Sequence, residues 1–200
     1  MRKHLITGLA LGATLLAGVA FAQPAPVSRT RGTIESVTDT SLIVKTRAGQ
    51  ATIAITPATR FVGVTHGDIA AIKPDSYIGT AAAMQPDGTL RALEVAVFPE
   101  SMRGSGDGHY AWDLPDANTM TNGAVGKLDT THGRTLTVMY KGGEKMITVP
   151  DDIPVVMLEP GDRTLLKPGA HVVVVTSKAA DNALSANAVI AGVNGVVPPM

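Results

Sequence analysis

The sequence predicts an all-β chain: two tandem copies of one small β-barrel unit, joined by an ordered connector and preceded by a signal peptide. Three observations carry this expectation. The second half repeats the first, each copy divides into short alternating strands between turn residues, and the stretch between the copies sets the only tryptophan, Trp112, among glycines.

The repeat is regular. Placing Leu42 on Leu136 also places Gly49 on Gly143, Ile53 on Ile147, Val62 on Val156, Leu90 on Leu184 and Val95 on Val189, a constant offset of 94. Lys73-Pro74 falls on Lys167-Pro168 in the same frame. Upstream the offset drops to 91, with Ile34 on Val125 and Val37 on Leu128, so the second copy carries three extra residues in its loop at 130–133. Insertions belong in such loops.

Each element has a local reason. Pro24 and Pro26 make residues 23–29 an extended lead-in. Residues 31–37 form a first strand and 42–46 a second, with Leu42 and Val44 alternating against Ile43 and Lys45. Ala48-Gly49-Gln50 reverses the chain into a third strand at 52–55, and 60–64 forms a short fourth. Residues 69–72 are too few for more than one helical turn. A strand at 77–83, the turn Pro86-Asp87-Gly88 and a strand at 90–98 complete the copy. A meander, a short link and a final hairpin is the order of an OB-like barrel, and an SH3-like barrel is the nearest competitor. The expected boundaries are a barrel at 30–99, a connector at 100–121, and a second barrel with a C-terminal tail at 122–200.

Arg2, Lys3 and His4 precede an apolar run at 5–20, and Ala20-Phe21-Ala22 supplies the small-x-small cleavage pattern. Cleavage after Ala22 is expected, because the run is short for a bilayer span. The mature chain is then soluble, periplasmic or secreted, with no membrane span. Losing Arg2 and Lys3 leaves 15 basic residues against 17 acidic ones, from 17 of each. That balance disfavours nucleic acid as a partner, since counterion displacement needs a basic surplus. With no cysteine, stability must come from packed cores.

Several motifs together resemble a bacterial family of exported proteins that carry a domain of unknown function with an OB-like barrel. They are Arg31-Gly32-Thr33-Ile34, Leu90-Arg91-Ala92-Leu93-Glu94-Val95, Phe98-Pro99-Glu100, Met102-Arg103-Gly104, Trp112-Asp113-Leu114 and Val197-Pro198-Pro199-Met200. The resemblance covers nearly the whole mature chain and implies no activity. Some members bear the label of a metal-transporter permease, which this chain does not fit, because a permease needs several membrane-spanning helices.

The connector concentrates the unusual chemistry. Arg103, His109, Tyr110, Trp112 and Asp113 are the candidate ligand or interdomain surface, with Trp112 as a wedge between the barrels. Asp107, His109 and Asp113 are candidate metal ligands, although their spacing matches no zinc or calcium loop. Ser105, His109 and Asp113 supply the residue types of a hydrolase relay but no strained nucleophile turn, and Gly104-Ser105-Gly106-Asp107-Gly108 lacks a P-loop ending. Met84, Met139, Met146 and Met157 read as core or edge residues. The expected function is a non-catalytic exported binding or adaptor protein, without cofactor, whose partner is an unknown envelope protein or small ligand. The alternative is a soluble metal-binding accessory of metal transport.

Overall fold

The computed structural model describes residues 27–116, 119–129, 134–178 and 182–199. The expected signal peptide and the three-residue insertion of the second copy lie outside them. The described chain is all-β, with helical turns only of the 3-10 kind at Ile69–Ala71, Glu100–Met102 and Arg163–Leu165.

The first copy supplies β1 (Val27–Val37), β2 (Ser41–Thr46), β3 (Gly49–Ala54), β4 (Arg60–His66), β5 (Tyr77–Met84), β6 (Leu90–Ala92) and β7 (Val95–Val97). The connector holds β8 (Gly108–Ala111). The second copy supplies β9 (Thr119–Asp129), β10 (Thr135–Tyr140), β11 (Gly143–Thr148), β12 (Val155–Pro160), β13 (His171–Lys178) and β14 (Leu184–Gly192). All belong to one large mixed sheet.

Alternation decides which faces are buried. Leu42 and Val44 on β2, and their counterparts Leu136 and Val138 on β10, are wholly buried, whereas Lys45 and Met139 face outward. The two short links repeat their capping as well: Asp68 accepts from the Ala70 N–H and Asp162 from the Thr164 N–H. Such a cap satisfies a donor that the turn would leave orphaned.

Two elements depart from expectation. The anticipated lead-in is strand from Val27 onward, because β1 pairs with β13 from Val27 opposite Ser177 to Thr33 opposite His171. The anticipated strand at 90–98 breaks at Leu93-Glu94, where the Leu93 N–H turns to the Ala81 carbonyl and the Glu94 carbonyl accepts the Thr80 hydroxyl at 2.7 Å.

The pairing order has a consequence that strand assignment alone does not reveal. The meander β1–β2–β3 takes both outer partners from the second copy: β1 pairs antiparallel with β13, and β3 pairs parallel with β14. Because β13 also pairs with β14, the circuit closes. The other meander, β9–β10–β11, closes in the same way on β5 and β6 of the first copy.

Each core therefore draws on both copies. One packs Ile34, Leu42, Val44 and Ile53 against Val172, Val174 and Val189. The other packs Val125, Leu136, Val138 and Ile147 against Ile78, Leu90 and Val95. Strands β4 and β12 join the two circuits as an antiparallel pair, and their register is symmetric about Val64 opposite Leu158, residues equivalent under the offset of 94. A third cluster of Val62, Val64, Ala96, Met120, Val156 and Leu158 fills the junction.

Gly32 and Gly123 mark where β1 and β9 pass most closely under the neighbouring meander strand. A Cβ at Gly32 would collide with the Lys45 carbonyl oxygen, and one at Gly123 with that of Met139. Only glycine allows this approach.

Candidate functional site

The connector begins with a turn pinned by Arg103. Its Nε donates to Glu100 at 2.7 Å, an Nη donates to the Asp75 carbonyl at 2.8 Å, and its guanidinium lies 5.8 Å from the centre of the Tyr77 ring. Gly106 then takes a φ of 62°, where a Cβ would press on the Asn122 amide. Asp107 follows as a two-ended clasp: one oxygen accepts the Lys141 N–H at 2.7 Å and the other the Tyr77 hydroxyl at 3.3 Å. Burial, and after it the charge of Asp107, pushes the Tyr77 hydroxyl up to about 12.

Clasped in this way, the chain enters β8 and pairs with β9, His109 opposite Thr121 and Ala111 opposite Thr119. The His109 ring meets the Thr121 hydroxyl at 2.8 Å and stacks on Tyr140 at 6.1 Å. Burial, with the Lys145 charge second, lowers its pKa. The Tyr110 hydroxyl accepts from Asn122 at 3.3 Å. Its pKa is raised by burial, which the charge of Arg29 partly offsets.

Trp112, Met102 and Leu114 reach back to the junction cluster. Arg29 of β1 lies 3.8 Å over the Trp112 ring, and Arg31 donates to Asp113 at 2.7 Å. Partial burial raises the Asp113 pKa, but the Arg31 hydrogen bond and the charges of Arg31 and Arg29 outweigh it and leave the carboxyl below its ordinary range. The connector thus ties β9 to β1 across the junction. Trp112→Ala is expected to lower stability by about 3 kcal/mol, read as the chemical denaturation midpoint. An unchanged midpoint would show that the ring holds nothing.

The proposed metal ligands are not brought together. Asp107 is spent on Tyr77 and Lys141, His109 on Thr121, and Asp113 on Arg31. No group of three or more His, Asp or Glu side chains among the described residues could hold a metal ion. No hydrogen bond joins the side chains of Ser105, His109 and Asp113 among the described residues. Of the methionines, Met157 packs on a core, whereas Met84, Met139 and Met146 are exposed.

A large concavity lies beside the connector, not within it. A groove of about 1160 Å³ runs between β1, the tip of the β2–β3 hairpin, residues 113–116 and the C-terminal Val197 and Pro198. Arg29, Arg31, Lys45, Arg47 and His171 line it, against Asp113 and Asp116. Asp113 engages Arg29 and Arg31, while Lys45 and Arg47 have no carboxylate partner among the described residues.

Residues 31–96 match the family described as a domain of unknown function, DUF5666. The DUF5666 segment runs from β1 into β7, and so contains the cationic hairpin tip and one wall of the groove. The match carries no activity and no link to metal transport. No curated protein and no solved structure matches the chain.

Sequence reasoning missed Arg29, Lys45, Arg47 and His171: charged positions alternating along a strand, as at Lys45 and Arg47, are ordinarily a solvated face, His171 stands alone in the sequence, and Arg29 falls in the expected lead-in. The repeat contained a signal: at the offset of 94, Lys45 and Arg47 stand where the second copy has Met139 and Lys141, and His171 stands where the first has Tyr77.

Proposed function

We infer that the protein is a non-catalytic exported binding or adaptor protein whose binding face is the cationic groove beside β1. The observation that carries this is the groove itself, a concavity lined by the cations Lys45 and Arg47 of the hairpin tip and by residues 113–116 of the connector. Concave sites with a few convergent charged groups are where proteins usually take ligands.

Two further points support the wider reading. In each circuit the strand order is meander strands one, two and three, then the two strands of a final hairpin, with the third and last strands parallel. That order supports the OB-like reading, with each circuit drawing strands from both copies. The basic, apolar and small-x-small sequence at residues 2–22 supports export with cleavage after Ala22.

The test is capture from envelope extract by the mature chain, residues 23–200, compared with the charge-reversed Lys45→Glu/Arg47→Glu double variant of unchanged melting temperature. Species retained by the wild type are expected to be lost from the variant. Identical captured sets would remove the groove from the function.

A further inference from the structure

The two halves are related by the repeat in nearly every pairing, and the groove lies where that relation fails. In the second half, β9 pairs with β5 on one side through residues 119–124; its other side carries β8 at 119–122 and β10 beyond. In the first half, β1 pairs with β13 through the equivalent stretch, and β2 takes over its other side only from Thr33. Residues 28–30, the counterparts of 119–121, therefore have a strand on one side only among the described residues. The groove runs along that open edge.

We propose that this edge accepts an extended acidic segment of a partner protein, which adds to β1 as β8 adds to β9. The proposal rests on the binding role and the cleavage inferred above. By the offset of 91, the counterpart of residues 109–111 falls on residues 18–20, inside the apolar run that cleavage removes. The mature chain then has no segment of its own in that register.

The second half also shows what the incoming segment should carry. There, Asp107 stands just before the added strand and clasps the Lys141 N–H and the Tyr77 hydroxyl. Their counterparts are Arg47 and His171, and both line the groove. A carboxylate placed like Asp107 would meet the Arg47 backbone and the His171 ring, with the Lys45 and Arg47 side chains adding positive charge. Strand addition of this kind draws affinity from main-chain hydrogen bonds and specificity from flanking side chains, and charge complementarity selects the partner.

The probe is a fluorescein-labelled peptide with this chain's own sequence 105–111, and its Asp107→Asn form, titrated into mature protein by anisotropy. Hydrogen exchange is read at the Arg29 amide, which points to the open edge: the Ile34 N–H donates to the Ala170 carbonyl, and alternation along β1 turns the amides of residues 28 and 30 to β13. The expected result is saturable binding, at least tenfold weaker for the Asn peptide and for Arg47→Glu protein, unchanged for Lys141→Glu protein, with new protection at the Arg29 amide. Absence of binding, insensitivity to the Asn change or to Arg47→Glu, or protection of the Arg29 amide already present in the free protein overturns the proposal. If the peptide fails while Lys45→Glu/Arg47→Glu still abolishes capture from extract, strand addition is wrong and the binding role stands. If neither has an effect, both are wrong.

Discussion

Residues 27–99 and 119–199, produced as separate polypeptides, are each expected to lack a cooperative folded state as monomers. Mixed in equal amounts, they are expected to recover β-sheet structure. The first fragment contains the β1–β3 meander with its apolar face of Ile34, Leu42, Val44 and Ile53, but not the Val172, Val174 and Val189 that cover it. It also contains β5 and β6 without the Val125, Leu136 and Ile147 of the other core. Losing half of every core exceeds the roughly 5–15 kcal/mol by which domains are stable, and pieces this small bury too little surface to compensate. Separation of the mixture by size, with circular dichroism on each fraction, checks this. A half that melts cooperatively as a monomer contradicts it.

Glu94→Gln is expected to stabilise the protein at alkaline pH and to flatten its pH dependence. Glu94 is 2% exposed, and neither carboxylate oxygen has a hydrogen-bond partner. Burial drives its pKa up to about 8, against a smaller opposing pull from Arg31. A carboxyl raised in the folded state favours the protonated fold. Its contribution is intact below the unfolded value of 4.5, declines as pH rises, and is gone above about 8. The loss across that window is of the order of 4 kcal/mol. Denaturation of wild type and variant at pH 5 and pH 8.5 checks the sign: nearly equal stability at the lower pH, and a more stable variant at the higher. Parallel pH profiles would mean that Glu94 does not carry the effect. The second copy has Ala188 at the equivalent position, so this cost falls on one half only.

Much of the strand content was legible because its causes are local. Alternation placed β2, the repeat carried it to β10, and Gly49 and Gly143 placed their turns. The exchange of hairpins was not legible. Val95 and Val189, or Ile78 and Val172, are interchangeable as apolar strand residues, so the pattern that marks them as buried does not say against which copy. The break at Leu93-Glu94 also comes from the tertiary fold, through the Ala81 and Thr80 contacts.

For the site, the connector's residue types were visible but their partners were not. Asp107, His109 and Asp113 suggested a metal because each can ligate one; Tyr77, Thr121 and Arg31, distant in sequence, occupy them instead. The groove left almost no trace in composition, since it arises where one half has a strand and the other does not.

The central claim is that each core is built from both copies of the repeat. Methyl–methyl nuclear Overhauser effects in the monomeric full chain test it most directly. The account predicts contacts from Leu42 and Val44 to Val174 and Val189, and from Leu136 and Val138 to Ile78 and Val95. Contacts from Leu42 and Val44 to Ile78 and Val95 instead, with none to Val174 or Val189, would show that each copy closes on itself and would contradict the account.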